Sequence, residues 1–412
     1  MRRAVDAGVP AGEQSFAVER RYSHLMKRHF LSVVFTATVA CASITALSVP
    51  LLGSVVAAAS SISKSLPAPP WSVGGFNTVS SCVKGPVCVS MGWNHHGATF
   101  YTWAARFQDG KWTRLSAPPE GAVAGEGASA ISCTTNTWCM VTGTNGENQG
   151  NKPIAEELIG THWTTLPVPN VKGSIDFSIY KLSCQSSKWC VGVGTYAANK
   201  PNYSDATFLV SEVWNGTTWR FVPIDSPRTN APLIDPGMVA GGEHPTGDPQ
   251  QISCVSKKFC MIMGSLTGPF VEQWNGRRWS TVAAPDALTR PASDSEFWDG
   301  TCLSKTFCVA VGGYPVSNAA WRPLIEQWDG HSWQIVTLPR LPQYFNGKPG
   351  FNLTGVECAS TKFCEAYGDQ TVANSGVNGL MWNGRTWHYV ATGNRATSAW
   401  TCLTNSVCEF VD

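Results

Sequence analysis

The residues in this 412-residue chain best suited to chemistry are its 15 cysteines. Cys41 stands alone in an apolar stretch. The other 14 form seven pairs with five residues between partners: Cys82 and Cys88, Cys133 and Cys139, Cys184 and Cys190, Cys254 and Cys260, Cys302 and Cys308, Cys358 and Cys364, Cys402 and Cys408. Paired thiols bind metal or oxidise to disulfides. Zinc-binding pairs are usually separated by about two to four residues and matched by a second Cys or His pair. Five residues lie outside that range and no paired His accompanies them, so no metal and no cofactor is expected. Five intervening residues instead set two cysteines opposite each other across a β-hairpin, where Cβ atoms approach the separation a disulfide needs. Seven local bridges are expected, and with them an oxidising compartment.

Other side chains able to contact a ligand are scattered. Trp93, His95 and His96 lie together, as do Tyr314, Trp321 and Arg322. A polar stretch carries Asp225, Asp235, Glu243, His244 and Asp248. Carboxylate pairs hydrolyse glycosides when held a few ångströms apart, but nothing in this spacing holds these together, and a solvated loop is the plainer reading. His95 and His96 are adjacent, and in a strand adjacent side chains point to opposite faces. No serine-hydrolase elbow, zinc-protease motif or phosphate-binding glycine loop is present. Catalytic residues are therefore not assigned.

The elements that must position these residues follow from a repeat. The first cysteines of the pairs step by 44 to 70 residues, the range of propeller blades. A turn signature alternates with them: Trp214-Asn215-Gly216 with Trp219, Trp274-Asn275-Gly276 with Trp279, Trp328-Asp329-Gly330 with Trp333, and Trp382-Asn383-Gly384 with Trp387. Shortened copies are Asp109-Gly110-Lys111-Trp112 and Ile159-Gly160-Thr161-His162-Trp163. Each unit reads as four short strands. In the fourth unit, strand a is 251–254, b is 259–264, c is 270–274 and d is 278–282. The Asn-Gly or Asp-Gly pair is a hairpin signal, since both residues tolerate positive φ. A proline commonly ends strand d, as at Pro118, Pro167, Pro223, Pro285 and Pro339, because proline lacks the ladder donor.

The expected fold is all-β: a single β-propeller of four-stranded antiparallel blades. Six units are complete and a final a–b hairpin follows, so seven blades are favoured, the last incomplete or closed by an N-terminal strand near 65–76. Six blades with an appended hairpin is the alternative. The Trp-Asn/Asp-Gly turn resembles the Asp-box of sialidase-like propellers, which sits at the same c–d turn. The likeness covers six short turns. The leading Ser-x of that motif is missing, as is the Arg-Ile-Pro segment that carries a sialidase active-site arginine, so the resemblance implies the fold and not the activity.

Once-per-unit residues read as scaffold. Trp112, Trp163, Trp219, Trp279, Trp333 and Trp387 are expected to pack between blades. Glu157, Glu212, Glu272 and Glu326 are expected to be structural carboxylates. Binding is expected on the face bearing the variable connections: the b–c loops at 94–100, 143–153 and 195–206, and the d–a loops at 223–250, 285–296 and 339–351. Exposed aromatics there can stack on sugars or grip a protein, although Trp93 and Trp321 also read as covers for blade edges.

Residues 1–59 differ from the rest. Arg20, Arg21, Lys27 and Arg28 precede an apolar run from Phe30 to about Ala59 that ends in Ala57-Ala58-Ala59, the parts of a secretory signal. Met26 is a tidier start for it. An uncleaved membrane segment at 30–59 is the alternative, and the only membrane association expected. Residues 60–80 read as a linker and first strand, and 81–412 as the propeller. Beyond the signal the chain holds 24 basic and 25 acidic residues, without the basic footprint of a nucleic-acid binder. The sequence supports an exported module, secreted or at the cell surface, that binds a glycan, cell-wall polymer or extracellular protein. A propeller glycosidase or lyase, and a surface structural protein without a small ligand, are the alternatives.

Overall fold

A cysteine pair can clip a hairpin only if strand register sets the two residues opposite each other, and in all seven hairpins it does. In the computed structural model the described residues are 64–66, 76–83, 87–96, 99–116, 128–147, 150–200, 203–224, 248–265, 268–287, 295–317, 320–339, 352–368, 379–390, 399–404 and 407–411. They belong to one compact unit, residues 57–412. The proposed signal and membrane segments lie outside the described residues.

The strands are β1 (Lys64–Leu66), then β2 (Phe76–Val83), β3 (Val87–His96), β4 (Thr99–Gln108) and β5 (Lys111–Leu115) for the first blade. The second has β6 (Ala128–Thr135), β7 (Trp138–Glu147), β8 (Gly150–Ile159) and β9 (His162–Leu166). The third has β10 (Ser174–Ser186), β11 (Trp189–Lys200), β12 (Tyr203–Trp214) and β13 (Trp219–Pro223). The fourth has β14 (Asp248–Ser256), β15 (Phe259–Ser265), β16 (Pro269–Trp274) and β17 (Trp279–Val282). The fifth has β18 (Glu296–Ser304), β19 (Phe307–Ser317), β20 (Ala320–Trp328) and β21 (Trp333–Ile335). The sixth has β22 (Leu353–Ser360), β23 (Phe363–Gly368), β24 (Gly379–Trp382) and β25 (Trp387–Val390), and β26 (Ala399–Thr404) and β27 (Val407–Val411) follow. No helix occurs among the described residues.

The architecture is a β-propeller with six complete blades, each a four-stranded antiparallel sheet in sequence order. A seventh sheet is incomplete among the described residues and draws on an N-terminal strand, as the sequence implied. The final hairpin supplies two strands and β1 a third, giving the three-stranded sheet β1-β27-β26, in which β1 pairs parallel to β27 with Lys64 opposite Glu409. Strand β26 nonetheless occupies a place in the ring, packed between β22 and β2, the inner strands of the sixth and first blades.

Six disulfides close the a–b hairpins of the complete blades. Such bridges persist in oxidising, extracytosolic compartments. Cys402 and Cys408 are paired in the same register between β26 and β27, but their side chains lie outside the described residues.

The core is a series of wedges between consecutive blades rather than one centre. Val193, Leu209 and Val222 of the third blade pack with Ile252, Phe270 and Trp279 of the fourth. Met261, Met263 and Val271 of the fourth pack with Phe297, Leu324 and Trp333 of the fifth. Hydrogen bonds stitch the same joints near the axis. The Ser81, Ser132, Ser183 and Ser253 hydroxyls each accept from the amide of the first cysteine one blade on, at 2.9–3.1 Å. The signal for this stitch is the serine directly before Cys82, Cys133, Cys184 and Cys254, a repeat easily overlooked beside the cysteines.

The c–d turns use two chemistries where the sequence suggests one. Only Asp109-Gly110 takes positive φ at both residues, +53° and +76°, spanning the two-residue gap between paired Gln108 and Lys111. In the four longer turns glycine alone does so, and the Asn or Asp side chain acts as an acceptor. Asn275 Oδ1, for instance, takes the amides of Arg277 and Arg278 at 2.9 and 3.1 Å. The first tryptophan of each long turn donates its indole N–H to a carbonyl of the a–b turn: Trp214 to Ser187, Trp274 to Lys257, Trp328 to Lys305 and Trp382 to Thr361.

One scaffold assignment needs correction. In the second blade Leu158, not Ile159, pairs with Cys139 and Trp163, so Glu156 and not Glu157 is the equivalent of Glu212. Glu156 is fully buried, as are Glu212, Glu272 and Glu326, whereas Glu157 accepts the Trp138 indole N–H. The second-position tryptophans differ in depth: Trp219, Trp279, Trp333 and Trp387 are buried, the half-exposed Trp163 packs at the joint of the first two blades and donates its indole N–H to Ser116 O, and Trp112 is half-exposed against Phe107.

Candidate functional site

A site that binds one ligand on a propeller must break the repeat, and the strands nearest the axis do so at one level. Strands β2, β6, β10, β14, β18, β22 and β26 contact one another around the ring. In five of them the register with strand b skips the residue four before the first cysteine: Ser129, Tyr180, Gln250, Trp298 and Thr354. A bulge of this kind bends the strand and re-aims the extra side chain.

Trp298 is the outlier at that level. It is 38% exposed, although β18 is flanked by β19 and by the inner strands of both adjacent blades. The other exposed large hydrophobics, Ile159, Phe221 and Ile335, sit on c or d strands. The Trp298 indole N–H donates to Glu296 Oε2 at 2.8 Å. Both residues lie where β18 leaves its d–a connection, at the mouth of the loop-rich face. At the same level Tyr180 donates its phenol to Thr195 Oγ1 at 3.3 Å.

One residue deeper, Asp299 joins three blades. Its carboxylate accepts from Gln251 Nε2 at 2.7 Å, from its neighbour Gly300 N at 2.8 Å and from Val356 N at 2.8 Å. Burial pushes its pKa up, although these donors and Lys181 oppose the shift. Glu357 is pushed to about 8, by burial first and by the charge of Asp299 second, with the Cys358 amide opposing. Both groups keep some accessible surface yet are enclosed by protein on most sides. Asp299 is thus a clamp, its oxygens committed to the fold.

Among the described residues the inner strands carry five acidic residues (Asp176, Asp248, Glu296, Asp299 and Glu357), one lysine, Lys181, and no arginine. Among the described residues no three His, Cys, Asp or Glu side chains converge as a metal site would require.

The residues nominated from sequence fall into three groups. Tyr314 and Arg322 are cross-strand partners on β19 and β20, with Trp321 opposite Pro315. Tyr389 of the next blade joins them: burial pushes its phenol up to about 12, with Tyr314 adding to the shift and Arg322 opposing it. Trp93, His95 and His96 lie on β3 opposite Thr102, Phe100 and Thr99, and Asp248 opens β14 opposite Ser265. Their side chains are outside the described residues, as are Asp225, Asp235, Glu243 and His244 altogether.

The b–c connections differ from expectation. Segments 94–100, 143–153 and 195–206 are largely strand, paired as long hairpin ribbons such as Thr144–Pro153 through Glu147–Gly150. A ribbon running beyond the packed part of a blade needs no buried face, so it lacks the alternation that reveals a strand in sequence.

No family model and no curated protein matches the chain. Solved structures resemble it in fold. YCF48 bound to a D1 peptide is 11% identical, covering 80% of this chain and 87% of that one, with a TM-score of 0.45. A Hadza microbial sialidase is 10% identical, covering 77% and 66%, with a TM-score of 0.41. The fucose-recognising six-bladed lectin of Aleuria aurantia is 13% identical, covering 77% and 96%, with a TM-score of 0.38.

Proposed function

We infer that the protein is an exported binding module that recognises a glycan, cell-wall polymer or extracellular protein through the loop-rich face of its propeller. The observation that supports this most is the make-up of the axial wall. It presents an exposed tryptophan among amides and hydroxyls, while its enclosed carboxylate Asp299 is already engaged by three donors. Carboxylate-recognising sialidase chemistry needs arginine at the centre, and among the described residues no inner strand offers one. The six disulfides fit work outside the cytosol. The Asp-box likeness of the c–d turns belongs to this reading as a feature of the scaffold.

A propeller glycosidase or lyase is the second reading, favoured by Glu357 holding a proton near neutrality beside Asp299. Turnover separates the two. The purified protein is incubated with fluorogenic sialosides and with acidic and neutral polysaccharides, and reducing ends and unsaturated products are followed alongside binding. Binding without turnover is expected. Hydrolysis or elimination that disappears in Glu357→Gln would replace the binding-module reading with the enzymatic one.

A further inference from the structure

We propose that Trp298 is the stacking platform of a subsite for one uncharged pyranose ring at the channel mouth, so that the ligand is a neutral carbohydrate. This rests on the binding-module reading and names its ligand class.

Position comes first. The four second-position tryptophans of the long turns are all but fully buried, as an indole that serves packing should be. Trp298 is 38% exposed on the strand nearest the axis, at a bulge where other blades place Ser129, Tyr180, Gln250 and Thr354. Of the two large aromatics at this level, Tyr180 is partly buried and bonded to Thr195 Oγ1, whereas the Trp298 ring is exposed.

Polarity comes second. The indole's one polar atom is already bonded to Glu296 at 2.8 Å. What remains for a ligand is ring carbon, and its face carries the negative side of the aromatic quadrupole. Donating to a carboxylate adds electron density to that face. The complement is a rigid group with weakly positive C–H bonds on one side and hydroxyls around its rim, which is a sugar ring. Gln250 and Thr354, an amide and a hydroxyl, stand at the same level of the flanking inner strands. A protein anchor would call for a contiguous apolar patch, whereas Trp298 is the one exposed large hydrophobic of the inner strands among the described residues.

Charge comes third. Glu296 is the carboxylate at the ring edge, and among the described residues no inner strand presents an arginine that could pair with an anion. An anionic sugar brought onto this platform would meet like charge in a partly desolvated mouth. The preference is therefore for neutral hexoses over uronic or sialic acids.

The test is affinity electrophoresis of the secreted full chain in gels containing mannan, laminarin, hydroxyethylcellulose or polygalacturonate, with a parallel sialylated-glycan array. Retardation by at least one neutral polymer and by neither acidic class is expected. Trp298→Ala should weaken it about 10- to 30-fold, as loss of a central aromatic contact does. Trp298→Phe, which keeps a π face, should recover most of the binding. Circular dichroism and melting temperature check that each variant folds. Wild-type binding to acidic polymers alone, equal binding by Trp298→Ala, or no binding to any glycan would each overturn the proposal. In the last case, capture of a purified extracellular protein that depends on this face would leave the binding-module reading standing, and absence of both would defeat the two together.

Discussion

Trp279 and Trp298 stand nineteen residues apart in sequence and show the two uses this propeller makes of tryptophan. Trp279 belongs to the repeat. It is 3% exposed, fills the joint between the third and fourth blades, and donates its indole N–H to Ser211 Oγ at 2.8 Å across that joint. Trp298 falls outside the repeat, on the wall of the axis, with an exposed ring. The joint is built from positions every blade needs and so carries stability. The wall is where one blade differs from the next and so carries recognition. Stability and binding should therefore respond to different substitutions.

The largest effect tests the joint. Trp279→Ala should destabilise by about 3–5 kcal/mol, the usual loss for a buried large aromatic, as measured by urea unfolding. A loss under about 1 kcal/mol would mean that the joints hold less of the stability than their burial indicates. Next in size is one clip: Cys254→Ser with Cys260→Ser should cost about 2 kcal/mol by the chain-entropy argument for a short loop. Because the hairpin is also held by its ladder, the fold should survive. An unfolded double variant would show that the disulfide specifies the blade rather than tightening it.

A third prediction concerns the carboxylates within the joints. Burial raises Glu156 to about 7, Glu212 to about 8 and Glu326 to about 9, the last with help from Asp286. Each exceeds the unfolded value, so the folded state holds protons that the unfolded chain releases. The associated stability is complete below the ordinary glutamate range and drains away as pH rises through about 7 to 9. Melting temperature should fall between about pH 5 and pH 9, and Glu326→Gln, neutral throughout, should flatten part of that fall. A melting temperature that does not change over this range would mean that these groups titrate normally. The smallest effect is the converse of the first: Trp298→Ala should change stability by about 1 kcal/mol or less. A larger loss would put Trp298 with the packing residues and erase the contrast with Trp279.

What could be read in sequence follows the same division. Cysteine spacing and the tryptophan turns recur, so register, blade order and the c–d hairpins were legible. A single substitution in the repeat moves the frame unnoticed: without a tryptophan at Leu158, the buried glutamate was placed one residue late, at Glu157. Polar ribbons such as 143–153 looked like loops because their composition shows no apolar alternation. Trp298 escaped notice because a tryptophan is ordinary in this chain. Its signal was positional, four residues before Cys302, where the other units carry Ser129, Tyr180, Gln250 and Thr354, and it emerges only when inner strands are aligned on their cysteines. Tyr389 was likewise invisible beside Tyr314 and Arg322, since adjacency between blades is not adjacency in sequence.

The pairing of β1 with β27 bears on biogenesis. The first blade and its neighbours are complete early in synthesis, yet the three-stranded sheet needs Lys64 and Glu409 together. A ribosome that has not yet released residues 399–411 holds an arc with two open ends. The ring is sealed only once residues 399–411 have emerged to meet β1, so closure follows the blades and does not lead them.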